Sequence, residues 1–271
     1  MGIRINTNIP ALNTGRMLAR STAALNQSLQ RLSSGLRINR AADDAAGLAI
    51  AEAFRSQVRG TQVAQRNAQD GVSLVQTAEG ALSETTNILQ RIRELAVQAA
   101  NGTQSDNNRA AMEGEVQQLL AQINGIAIDT EFNGIRVLSA AQTVTLQAGA
   151  MTSQTLVIAI SGAKTNDLGV NTVHVSSMAL AVSAISTIDT AIKSVTSLRS
   201  TLGAYQNRLE FTVNTLAIQE ENSAAAESAI RDANIATETI AFTRNQILVS
   251  AGTSVLAQAN LVPQTALALL R

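Results

Sequence analysis

The sequence predicts a mainly α protein, an elongated antiparallel helical bundle or coiled coil with a small β-hairpin region. Three observations predict it. Between Thr61 and Ala100, the residues Val75, Ala78, Leu82, Thr85, Leu89, Ile92, Ala96 and Ala99 alternate steps of three and four, the period of a coiled-coil seam. Aromatics make up only 2% of the chain, with no Trp and one Tyr, so the core must be filled by Leu, Ile, Val and Ala as in a thin helix bundle. Strand-like patterning is confined to a short central stretch, about 134–177. At 1.5 Å per residue, the forty residues 61–100 would span roughly 60 Å, about twice the diameter of a small compact domain.

Taken in order, Leu18, Leu25, Leu29, Leu32 and Leu36 fit a heptad seam after Pro10, and a helix this short needs a partner for its apolar face. Gly35 and the RINRAADDAAG stretch predict a break, after which Asp43 or Asp44 can cap a helix beginning near Ala45. Asn101-Gly102 predicts a left-handed helix end, and Ser105 or Asp106 a new cap, making an antiparallel hairpin. Met112, Val116, Leu119, Leu120, Ile123 and Ile126 give the following helix one apolar face before it closes at Asp129 and the FNG turn.

TVTLQAG and QTLVIAI flank a GAMTS turn and predict a hairpin, with VNTVHV as a further strand-like run. Helix returns at Met178 for some forty residues, with Ile185, Ile188, Ile192, Val195, Leu198, Leu202, Tyr205, Leu209, Val213 and Leu216 close to a 3.5-residue period. This is the natural partner of the 61–100 seam. Ala241, Leu248, Val255 and Val262 repeat the seven-residue spacing near the C-terminus, and Pro263 predicts a helix break before ALALLR. The two apolar-seamed ends match each other, and together they carry more seam than one hairpin can bury. Seams reserved for neighbours imply assembly.

Charge and motifs narrow the function. Lys+Arg and Asp+Glu both number 20 and the arginines are scattered, which argues against a nucleic-acid partner or an anionic membrane surface. There is no cysteine, which removes disulfides, thiol nucleophiles and thiolate metal sites. MGIRINTNIP lacks the apolar core of a secretory signal, and no run of 18 apolar residues predicts membrane insertion; alone, these read as cytosolic. His174 is the single histidine, too few for a metal site or a triad, and it reads as a strand or surface residue. Asp43-Asp44 reads as capping rather than as an acid pair, since neighbouring helical residues point apart. No phosphate loop, dinucleotide fingerprint or nucleophile elbow occurs, so neither catalytic residues nor cofactors are expected. Asn26-Gln-Ser and Asn101-Gly-Thr match the glycosylation sequon at near-chance frequency for so Asn-rich a chain.

MGIRINTNIPALNT, LQRLSSGLRINRAADDAAGLAIA, LQRIRELAVQAANG, TEFNGIRVL, LGAYQNRLE and AGTSVLAQANLVPQTALALLR together resemble bacterial flagellin, in family order, over roughly the first 140 and last 90 residues. The resemblance implies a structural subunit that self-polymerises into the tubular flagellar filament for motility. It implies export unfolded through the flagellar type III system and an extracellular location. A discontinuous inner coiled-coil assembly domain would comprise 1–44 plus 228–271, and an outer helical domain 45–227 would hold the hairpin region. The resemblance is to the short, two-domain type, with only about forty residues where others carry variable inserts. Implied partners are further copies of the chain, an export chaperone, the filament cap, hook-associated proteins and a host flagellin-sensing Toll-like receptor. A hook–filament junction protein is the nearest alternative, and a coiled-coil adaptor or signalling module the alternative from another class.

Two residue sets follow. Leu25, Leu29, Leu32, Leu36, Ile247, Leu248, Val255 and Val262 are the expected assembly seam, with Thr165 taken as an exposed reference position. Arg91, Glu94, Leu95 and Glu115 fall on positions that the resemblance assigns to receptor recognition and subunit contact. Arg91 and Leu95 are four apart on one helix, and an antiparallel turn near 103 would bring Glu115 beside Arg91.

Overall fold

The computed structural model describes residues 7–268, in the order α1 (Ile9–Ser34), α2 (Ala45–Ala99), α3 (Asp106–Asp129), β1 (Glu131–Phe132), β2 (Ile135–Arg136), β3 (Gln142–Gln147), β4 (Thr155–Ile160), α4 (Met178–Arg231) and α5 (Ile235–Ala268). The chain forms two compact units, one of 57–221 and one of 1–56 with 222–271.

In the first unit the 3–4 seam of α2 is the core. Val75, Ala78, Leu82, Thr85, Leu89, Ile92, Ala96 and Ala99 are all 0–1% exposed, and the same spacing runs back through Ala68, Ala64 and Thr61, also at 0–1%. On α4 the seam residues divide. Ile188, Val195, Leu202, Leu209 and Leu216, seven apart, are buried, whereas Ile185, Ile192, Leu198, Tyr205 and Val213 pack half-buried at its edge. By length and composition, one stretch of α4 is apolar enough to cross a membrane, which the sequence analysis did not anticipate. Its Ala181, Ala184, Ile188, Ala191 and Val195 are turned into the core.

α3 returns beside α2 with Met112, Val116, Leu120, Ile123 and Ala127 buried. Ser105 accepts the Asn108 N–H at its start, the expected cap. Asn101-Gly102 does not adopt the left-handed conformation: positive φ is confined, among the described residues, to Gly35, Asn133, Gly134 and Gly169. A side chain serves instead, as described below. Asn133 and Gly134, at φ 51° and 78°, turn β1 into β2 in register Glu131↔Arg136, the geometry of a tight two-residue hairpin.

β3 and β4 pair antiparallel with Val144 opposite Ile158. Leu156, Ile158 and Ile160 point inward from β4, the period-2 burial of a one-sided hairpin. It closes tightly on the helices: a Cβ at Gly71 would collide with Leu146 of β3 and lie 3.3 Å from Leu209 of α4. VNTVHV forms no strand. Val170, Val173 and Val175 are buried one by one, and their N–H groups go to Thr165 O, Val170 O and the Glu113 carboxylate rather than to a ladder. Thr165 is not the exposed position expected of it. It is 5% exposed, with its N–H and hydroxyl both on Asn124 Oδ1.

In the second unit α1 packs along α5. Gly35, at φ 71°, ends α1 and returns its N–H to Arg31 O, a left-handed cap. Asp44 accepts the Gly47 N–H at 2.8 Å and so starts α2, while Asp43 accepts from Asn39 and Arg40 in the preceding turn. These backbone donors hold the Asp43 carboxyl below its ordinary value, helped by the charges of Arg31 and Arg40. The RINR stretch also finishes α4: Arg37 N–H donates to Arg231 O at 2.7 Å and the Arg37 guanidinium to Ile230 O at 2.6 Å. Helix-end carbonyls with no intrahelical partner are thereby satisfied.

Pro263 does not break α5, which continues to Ala268. A proline supplies no N–H to the carbonyl four residues back, here that of Ala259. Asn8 Nδ2 donates to that carbonyl at 2.9 Å while Asn8 Oδ1 caps α1 at Ala11 N–H, so one side chain starts one helix and repairs the other.

Truncating the seam tests the core. Leu82→Ala or Leu89→Ala should lower stability by about 2–5 kcal/mol, measured by urea unfolding followed by circular dichroism.

Candidate functional site: two helix faces

The faces of α2 and α3 meet at Arg91. Arg91 Nη2 lies 2.9 Å from Glu115 Oε1 across the hairpin, and Arg91 Nη1 lies 3.1 Å from Glu94 Oε2 on its own helix. All three side chains are about half exposed or more. The hydrogen bonds to Glu115 and Glu94 raise the Arg91 pKa above its ordinary value. Leu95 does not belong to this surface. It is 2% exposed and part of the core. α2 buries two adjoining faces here, Ile92, Ala96 and Ala99 along the seam and Leu95 beside it, so a residue four positions from Arg91 falls beneath the patch rather than within it.

Sequence reasoning missed Arg109. The helix pattern gave no cue for a buried arginine, although its distance from the turn was a signal that could have been used. Its side chain is 10% exposed and donates to Ala99 O at 2.9 Å, to Asn101 O at 3.1 Å and to Asp106 Oδ1 at 3.1 Å. It is the C-terminal cap of α2.

On the opposite side of α3, Glu113 receives the Val175 N–H, His174 Nδ1 at 2.7 Å and Gln117 Nε2 at 2.8 Å. His174 therefore lies at the surface on a non-strand segment. Burial pushes the Glu113 carboxyl up, but the Val175, His174 and Gln117 bonds outweigh it and hold it below the ordinary glutamate value. Among the described residues no three His, Cys, Asp or Glu side chains converge as a metal-ligand set.

The seam that joins the terminal helices within one chain runs beside the expected assembly seam on α5. On α5 the residues Glu238, Phe242, Asn245, Val249, Gly252, Leu256 and Ala259 are half-buried, with Ala241 beside them. They form a strict 3–4 series that faces α1: Glu238 meets Arg31 at 3.6 Å, and a Cβ at Gly252 would lie 3.2 Å from Leu18. Leu248 and Val255 stand one position away from this series. Ile247, Leu248 and Val255 are 63%, 48% and 54% exposed. On α1, Leu18, Leu25 and Leu32 are half-buried with Ser28 fully so, whereas Leu29 is 49% exposed; Leu36 is half-buried beyond the helix, bridged to Asp232. The side chain of Val262 lies outside the described residues. Leu248 and Val255 flank Met17 and Leu18 around an open apolar groove of about 310 Å³ between the two helices.

The bacterial flagellin N-terminal helical region matches residues 5–143 and the C-terminal helical region residues 185–270. The chain belongs to the bacterial flagellin family. It is 44% identical to a flagellar filament 31.3 kDa core protein of Treponema maltophilum, across 98% of this chain and 99% of that one. It is 46% identical to a flagellin of Halalkalibacterium halodurans, again across 98% and 99%. A solved structure assigned to a flagellar hook-associated protein of Vibrio parahaemolyticus shares the fold, with a TM-score of 0.59 at 12% identity over 70% of this chain and 100% of that one. The protein is mainly α with two small antiparallel hairpins, and as a member of this family it is a structural subunit of the extracellular flagellar filament, a polymer of many copies.

The Glu113 contacts carry a pH dependence. A carboxyl depressed in the folded state contributes stability that is fully present above its unfolded pKa and is lost as pH falls through its folded one. Segment 170–175 should therefore loosen from α3 as pH drops below the ordinary glutamate range, seen as a lower amide-exchange protection factor at Val175. Glu113→Gln should show low protection there at every pH.

Proposed function

We propose that the discontinuous unit of α1 and α5 is the assembly domain and that its uncovered apolar residues are the contacts between subunits. The observation that carries this reading is the second apolar face of α5. A helix that seats Phe242, Val249 and Leu256 against α1 and still exposes Ile247, Leu248 and Val255 is apolar on more than one side, as helices enclosed by a larger structure are. Each such side chain gains roughly 1.5–3 kcal/mol on burial, repeated at every subunit. Leu29 extends the surface on α1, whereas Leu25, Leu32 and Leu36 serve the fold of the single chain.

The test substitutes Leu248→Asp and Val255→Asp, with Ser153→Asp in the exposed β3–β4 loop as reference. Both α5 changes should prevent filament growth from monomer, scored by electron microscopy and sedimentation, because an unpaired carboxylate in an apolar contact is strongly disfavoured. Filaments in normal yield from all three would remove the assignment.

The second surface is the Arg91, Glu94 and Glu115 patch, which we assign to subunit contact and to recognition by a host flagellin-sensing Toll-like receptor. Support comes from exposed, mutually fixed charges drawn from two helices. Arg91→Ala and Glu115→Ala should each weaken signalling by monomer and impair assembly. Leu95→Ala should instead act through stability, losing about 2–5 kcal/mol. Undiminished signalling from both charge variants, with circular dichroism unchanged, would discard the receptor role.

The same reading includes passage through the flagellar type III system as an unfolded chain, with an export chaperone, the filament cap and hook-associated proteins as partners. A cysteine-free chain suits such a route, since it cannot crosslink on folding outside the cell. It also makes the protein structural rather than catalytic. The fold is shared with the hook-associated structure, so the choice of filament subunit over junction protein rests on the near-full-length relatives.

A further inference from the structure

We propose that Arg109 is the positioning residue of the Arg91 patch: by capping the end of α2 it sets the register at which α3 returns, and so places Glu115 opposite Arg91. The inference rests on the reading of that patch as an interaction surface.

Three features of Arg109 point to this. It stands on the first turn of α3, yet its guanidinium reaches back to Ala99 O, a carbonyl that α2 leaves without an intrahelical donor, and to Asn101 O in the turn, which also accepts the Gln104 N–H. Neither Asn101 nor Gly102 closes the helix by a left-handed residue, so this side chain does the capping that backbone geometry does elsewhere, as at Gly35. Its third donor is held by Asp106 on its own helix, which fixes the guanidinium plane between the two helices.

The register consequence follows from helix geometry. Arg109 reaches back to Ala99, and Arg91, eight residues before Ala99, meets Glu115, six residues after Arg109. A slip of α3 by one turn would carry Glu115 about 5.4 Å along the axis, far outside ion-pair distance. The apolar contacts Met112 and Val116 resist sliding only weakly, because a seam repeats and can re-engage after a turn, as coiled-coil registers do unless a polar group specifies one. The exposed Arg91–Glu115 pair is itself a weak interaction. A buried arginine with two carbonyl acceptors fits only one register.

The chain has no cysteine, so an introduced pair reports one distance. Arg91→Cys with Glu115→Cys is treated as full-length monomer with a short bis-methanethiosulfonate crosslinker, and the rate is compared with and without Arg109→Met. The control pair is Arg93→Cys with Asp189→Cys, where α2 meets α4 through a 2.7 Å ion pair. Arg109→Met should slow the 91–115 crosslink at least three-fold and leave the 93–189 rate unchanged. Arg109→Lys, which reaches one carbonyl at most, should fall between. An unchanged 91–115 rate overturns the proposal, and so does equal slowing of both pairs, which would mean that Arg109 only stabilises the fold. If Arg109→Met does not fold by circular dichroism, Arg109→Lys is judged by the same two criteria. Failure of the patch reading shows elsewhere, as normal assembly and signalling by Arg91→Ala, whatever the crosslinking rates.

Discussion

The strict 3–4 spacing along α2 is the constraint on which the larger unit depends. From Thr61 to Ala99 every third or fourth residue is buried, and because the spacing never slips, the stripe stays on one side of a long helix and can be covered by a single partner helix. Small residues make the arrangement possible. Ala64, Ala68, Gly71, Ala78, Ala96 and Ala99 let neighbouring elements approach, and at Gly71 a side chain would strike the hairpin and crowd α4. The scarcity of aromatics is thus a packing consequence. The buried seam of α2 carries no ring and is filled by Leu, Ile, Val and Ala, while Tyr205 of α4 packs only at the edge.

Polar work in this protein is concentrated where helices end. Asn8, Gly35, Arg37, Asp44, Ser105 and Arg109 each close or open a helix. Long helices expose few backbone groups along their length, so the unsatisfied donors and acceptors gather at the ends, and side chains distant in sequence are recruited to meet them. Asn8 on Ala259 O, 251 positions apart in the chain, is the extreme case. These contacts contribute little individually but permit one geometry each, which repeating apolar seams cannot do alone.

That division explains what was legible in the sequence. The seams of α2, α3 and α4, the cap at Ser105 and the turn at Asn133-Gly134 could be read because period and turn chemistry are local. The strand expected at VNTVHV failed because alternation alone cannot show whether a neighbouring strand exists, and here Glu113 of α3 takes the Val175 N–H. The break expected at Pro263 failed because the compensating donor sits at the N-terminal cap of α1. Counting from the turn places Glu115 beside Arg91, as found, whereas counting on one helix puts Leu95 on the surface, where it is not, because it does not reveal how many partners that helix has.

The terminal helices carry the same ambiguity furthest. In α5, Ala241, Leu248 and Val255 repeat every seven residues, and so do Phe242, Val249 and Leu256 one step after them. Period alone cannot choose between two series offset by one residue. Bulk can: at the first repeat one series offers a phenyl ring and the other a methyl group, and the structure seats the series with Phe242 against α1. Its intervening positions, Asn245 and Gly252, add little apolar area, and at Gly252 the missing side chain lets Leu18 come close. The inner seam is therefore narrow, and it leaves Ile240, Ile247, Leu248, Val255 and Leu261 all about half exposed or more. In a free-standing globular protein that many uncovered branched side chains would waste apolar burial and invite aggregation. The assembly role proposed above gives the arrangement a reason: a narrow inner seam needs only to hold two helices of one chain together, while the remaining apolar faces would serve contacts that form once neighbouring copies surround them. On that reading a helix with two apolar faces is a property of the assembly, and no single chain, however closely its periodicity is read, has a reason of its own to carry the second one.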